Sequence, residues 1–159
     1  MKLTQKIEQA FSHRQKPNQL IESRESLITP EQMEALWFNE RDWHEITWGN
    51  WEEHRDAIYA FTPEAFAYYL PSILTLSSQR PHQWFWPADA LLIILDRSPV
   101  VDYWDTFITT RLLGLRLEEY EALKDWLLAL SEYSSVSEDT LDRAFDTVCL
   151  LENRVRRNP

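Results

Sequence analysis

Glycine is nearly absent: Gly49 and Gly114 are the only two in 159 residues. A P-loop or a dinucleotide-binding turn needs several glycines clustered where backbone approaches phosphate, so neither can be built here. Tight hairpins of the Asn-Gly kind are missing too, which argues against a β-rich fold. Cys149 is the single cysteine, leaving no internal disulfide and no Cys-x-x-Cys metal site. It lies in the apolar stretch TVCLL and is expected to be a small buried thiol. The start, MKLTQKIEQAF, lacks an apolar run of signal-peptide length, and no segment has the length of a membrane span. A cytoplasmic protein is therefore expected.

Tryptophan and negative charge are abundant instead. Eight tryptophans call for a large core, with any exposed one marking a recognition surface. Net charge is -10, and it is uneven: residues 1–30 carry five basic and three acidic side chains, residues 31–159 carry 11 and 23. Such a surface repels nucleic acid and anionic membrane and attracts basic proteins, although it also serves solubility alone.

Helical signals dominate the chain. Leu3, Ile7 and Phe11 form one apolar stripe, followed by a polar loop, SHRQKPNQ. In TPEQ, Thr29 caps a helix, Pro30 takes its first position and Gln32 closes a capping box, with Met33, Leu36 and Trp37 expected inward. Asn50 and Glu53 suggest a second box and a helix from Trp51 to about Tyr59. FTPEAFAYYLP repeats the Thr-Pro-Glu start 33 residues after the first, which reads as one capping grammar used twice rather than a structural repeat. Phe66, Tyr69, Leu70 and Ile73 share its core face, Tyr68 is expected to be exposed, and Pro71 is expected to kink or break the helix near Leu70. RPHQWFWP reads as an aromatic connector. ADALLIIL suits a buried helix or a strand, and SPVVDYWDTFITTRLL suits a helix opening at Ser98 and ending at Gly114, with room for a short strand. Two longer helices follow: one buries Tyr120, Leu123, Trp126, Leu127, Leu128 and Leu130, the other starts at Ser137 and buries Leu141, Phe145, Val148 and Leu151 or Glu152. The expectation is one all-α domain over 1–159 with six or seven helices, room for one short strand pair, and a loosely attached N-terminal helix and loop over 1–28.

No motif of catalysis is complete. WHEIT has His-Glu without the second histidine of a zinc-protease helix, and no Gly-x-Ser-x-Gly elbow exists. His44, Glu45, His54 and Asp56 would meet only if 43–59 folded back on itself. The most unusual segment is NERDWHEITWGNWEEHRD, residues 39–56, with three tryptophans and six acids against two arginines. Tryptophan anchors interfaces and acids steer a basic partner, so Trp43, Glu45, Trp48, Trp51, Glu52, Glu53 and Asp56 form the candidate binding patch. In the competing reading the tryptophans pin a loop to the core while the acids face water.

The stretch AFTPEAFAYYLPSIL, preceded by RDWHEI, resembles a family of small bacterial proteins defined only as a domain of unknown function. Its members share a segment close to L-T-P-E-A-F-x-Y-Y-L-P, an upstream tryptophan and a final amphipathic helical part. The likeness is closest over 61–74, looser over 42–130, and Phe61 stands where the family has leucine. The resemblance implies no activity, cofactor or catalytic residue. More loosely, a small acidic chain of this kind is similar to the immunity proteins that neutralise bacterial toxins. Three expectations follow: a non-catalytic module binding a basic protein as an immunity-type inhibitor, a small metal-dependent or hydrolytic enzyme using His44 or His54, or a scaffold or regulatory subunit of a larger assembly.

Overall fold

The computed structural model describes residues 1–22, 28–133 and 135–158, and within them the fold is all-α, with no strand. The helices are α1 (Leu3–Phe11), α2 (Pro30–Leu36), α3 (Trp48–Glu53), α4 (Ala57–Ala60), α5 (Pro63–Gln79), α6 (Trp86–Leu95), α7 (Thr106–Leu112), α8 (Leu117–Tyr133) and α9 (Glu138–Arg157). Short 3-10 turns lie at Trp43–Glu45 and Val101–Tyr103. The described residues thus hold more helices than the six or seven predicted, partly because 48–60 forms two short helices instead of one. ADALLIIL is helical within α6, and α7 opens at the Asp105 cap rather than at Ser98. No helix among the described residues is long and apolar enough to cross a membrane.

The central element is α5. Its start follows the sequence: Thr62 Oγ1 accepts from the Ala65 amide (3.2 Å), and Pro63 occupies the first turn where its missing N–H is not needed. Every residue from Ala65 to Leu74 is buried, so this helix has no solvent face over nearly three turns. That explains two departures from expectation. Pro71 sits inside a continuous helix, because burial on all sides holds the geometry against a cost of about 3 kcal/mol. Tyr68 is buried too, under the Trp43–Glu45 turn that packs on α5.

Other helices cover α5. The α1 segment expected to be loose buries Ile7, Ala10 and Phe11 against α5 and α8. The following chain is tied down as well: the Thr62 hydroxyl and amide donate to the Gln19 and Leu20 carbonyls at 2.7 and 2.9 Å. Arg14 makes a two-point ion pair, at 2.5 and 2.7 Å, with Glu119, whose side chain is fully buried. Helices α8 and α9 pair along the stripes the sequence predicts, except that Leu128 faces out and Phe145 is only half-buried. On α2 the inward residue is Ala35, followed by Phe38, and Met33 is exposed.

Two tryptophans are moored to serines of α5. The Trp51 indole N–H donates to Ser72 Oγ (2.9 Å) and that of Trp126 to Ser77 Oγ (2.8 Å). Each hydroxyl solves the same problem, a large apolar ring whose one polar atom must find a partner inside the core. Ser72→Ala leaves the Trp51 N–H buried and unpaired. The expected loss is about 1 to 3 kcal/mol in chemical denaturation, and an unchanged midpoint would mean the bond is idle.

Candidate functional site

The 39–56 segment is organised by local caps that differ from the sequence reading. Asp42 accepts from the His44 amide (2.9 Å) and Glu45 accepts from the Asp42 amide (3.3 Å), closing the 3-10 turn. Thr47, not Asn50, caps α3: Thr47 Oγ1 accepts from the Asn50 amide (3.1 Å) and Asn50 Oδ1 accepts from the Thr47 amide (2.9 Å). Asparagine is thereby the third residue of the helix, and α3 begins at Trp48. Starting there aims Trp51 into the core, where it is 0% exposed; Trp43 is 6% exposed. Those two candidate contacts are therefore corrected to core residues. Trp51 packs against Phe38 (4.8 Å between ring centres), and Phe38 in turn meets Phe61 and Tyr69.

The remaining candidates reach the surface. Glu45, Glu52 and Glu53 are exposed and Asp56 is half-exposed. Trp48 lies between: its ring meets Phe85 at 4.1 Å, its N–H donates to Glu52 (2.7 Å), and the Arg80 guanidinium sits 5.2 Å from its centre. Trp48 therefore joins α3 to the start of α6.

The histidines are not brought together. His44 stacks on Trp43 and is held between Asp42, on Nδ1, and Glu8 of α1, 2.8 Å from Nε2. His54 stacks on Trp37 at 4.4 Å, with Glu53 3.9 Å from Nε2. Among the described residues no group of three His, Cys, Asp or Glu side chains could hold a metal ion. Cys149 is half-buried, and burial raises its pKa, away from the reactive thiolate.

Sequence reasoning missed the exposed aromatics of the RPHQWFWP connector. Trp84 is 67% exposed, the only tryptophan of the chain so far out in water, and it stands 6.0 Å from the half-buried Trp86. Between them Phe85 turns inward to meet Trp48. The alternation out-in-out was the available signal. Beside Trp84 opens a cavity of about 130 Å³ that reaches Phe85, Ala88, Asp89, Leu92 and Leu130. Tyr59 of α4 has its pKa raised by burial first, then by the negative charges of Asp56 and Asp89, so both carboxylates are within electrostatic reach of one phenol. Trp84 and Asp89 thus share one cavity, Asp89 and Asp56 both act on the Tyr59 phenol, and Glu52 and Arg80 meet at Trp48, whose ring packs on Phe85 of the same cavity.

Compared with known proteins, the chain matches no family model, no curated protein and no solved structure.

His44 makes the clamp between α1 and the 3-10 turn pH-dependent. Burial works to lower its pKa, but hydrogen bonds to Glu8 and Asp42 outweigh it and raise the pKa above the ordinary 6.5. A raised folded-state pKa contributes stability that is complete below 6.5 and is lost as pH climbs through the folded value. For Asp42, burial is again opposed and outweighed, by hydrogen bonds from His44, and the pKa falls below 3.8; its contribution is present above 3.8 and fades in stronger acid. The clamp is strongest between those limits, and small, since His44 is half-exposed. Glu8→Gln should lower stability more at about pH 5.5 than at about pH 8.5 in parallel denaturation curves. An equal effect at both would remove His44 from the link.

Proposed function

We propose that this protein is a non-catalytic, acidic protein-binding module whose partner is a basic protein, in the manner of an immunity protein that covers a toxin. The observation that carries this reading is the exposed tryptophan Trp84 on one cavity with the carboxylate of Asp89, which acts together with Asp56 on the neighbouring Tyr59 phenol. A solvated aromatic of that size is a poor way to stay soluble and a good anchor for an interface. Acids around it raise the rate of encounter with a positively charged protein and disfavour nucleic acid. The reading keeps the acids chosen from sequence but replaces Trp43 and Trp51 with Trp84. A role as a subunit of a larger assembly would use the same surface. His44 and His54 are engaged separately, in ion pairs and stacking, which is why we favour binding over hydrolysis.

The test is capture of the partner from lysate of the native host at low and high salt, with wild type and a Glu53→Lys/Asp56→Lys variant side by side. Glu52 is left in place because it holds Trp48. One stoichiometric basic protein is expected, lost at high salt and lost with the variant, whose melting temperature stays that of wild type. Equal capture by the two proteins would contradict the reading.

A further inference from the structure

The start of α6 places an aromatic face opposite a carboxylate. Phe85 is the cap, so Trp84 is the residue before the cap and Asp89 the fourth residue of the helix. This pair is often apolar and closes on itself, one side chain packing on the other. Here the fourth residue is an acid, so the ring has no apolar mate, which explains why Trp84 is left 67% exposed. Asp89 itself is half-buried, on the same cavity wall as His82. Trp84 and Asp89 line the same cavity of about 130 Å³, whose other walls include Phe85, Ala88, Leu92 and Leu130. That volume is about four waters' worth.

We propose that this cavity is the anchor point of the interface and receives an arginine side chain of the basic partner. The inference rests on the binding reading above and gives that interface its chemistry. Three features select the guanidinium. Its flat face stacks on an indole, its paired N–H groups match a carboxylate, and its methylene stem lies on apolar walls. Trp84, Asp89 and the Phe85–Leu92 wall supply the three in that order. Charge complementarity is general as well as local, because residues 31–159 carry 23 acidic against 11 basic side chains. A lysine ammonium would meet the carboxylate but gain less from the ring.

The probe is a short peptide, acetyl-Gly-Arg-Gly-amide, titrated into the full-length protein while the indole N–H signals are followed by NMR. Control peptides carry citrulline, the neutral isostere of arginine, or lysine. The Trp84 signal, assigned with Trp84→Phe, is expected to move with the arginine peptide and not with citrulline. Asp89→Asn should weaken the response about tenfold or more, as removal of one charge-assisted bond predicts, with only a small fall in melting temperature from the lost acid in the first turn of α6. Equal response to arginine and citrulline, equal response to arginine and lysine, or indifference to Asp89→Asn would each overturn the assignment. Failure here is separable from failure of the wider reading. A silent peptide with salt-sensitive partner capture sinks only the arginine anchor. A responsive peptide with no captured basic protein sinks only the binding function.

Discussion

Everything in this fold answers to the burial of α5. A helix apolar on one stripe needs one neighbour; a helix buried on every side from Ala65 to Leu74 needs a complete jacket. Helices α1, α6, α7 and α8 and the Trp43–Glu45 turn supply it. The jacket explains the tryptophan count, because wide gaps around a central helix are filled with few residues by indoles. It also explains the buried serines, which give Trp51 and Trp126 their acceptors on α5 itself. Even Pro71 belongs to this logic, held helical by surroundings that leave the chain no other course.

The jacket sorts the tryptophans into duties. Trp43, Trp51, Trp104 and Trp126 are buried, Trp37, Trp48 and Trp86 are partly covered, and Trp84 alone stands in water. Packing has no use for it, and a hydrophobic ring on one cavity with the Asp89 carboxylate is the feature of this surface that solubility does not require. On the binding reading proposed above, the acidic character of residues 31–159 is a field whose focus is the start of α6 rather than the tryptophan-rich segment 39–56.

What the sequence made legible was local. Thr29–Pro30, Thr62–Pro63 and Ser137 begin helices where they stand in the chain, because capping is decided within four residues. The stripes of α8 and α9 were readable because those helices are long enough for the 3.6-residue period to repeat. What failed was set by tertiary contact. Two capping boxes competed in TWGNWEE, and the choice of Thr47 over Asn50 turned Trp51 inward, against the binding role the sequence suggested for it. Met33 and Leu128 carry apolar side chains outside, while Tyr68 is inside, since the jacket and not periodicity decides which flank of a helix is covered. Of the candidate site, the acids Glu45, Glu52 and Glu53 do lie on the surface; Trp84 was passed over because an alternation of only three residues, Trp84 to Trp86, is too short to stand out in a connector.

The central claim is that one face, formed by α3, α4 and the start of α6, carries the interface. Hydrogen exchange measured on the protein alone and in complex with its captured partner tests it most directly. The account predicts new protection over 48–60 and 82–93, with α9 unchanged. Protection along α9 or α1, with the Trp84 segment exchanging as in the free protein, would contradict it.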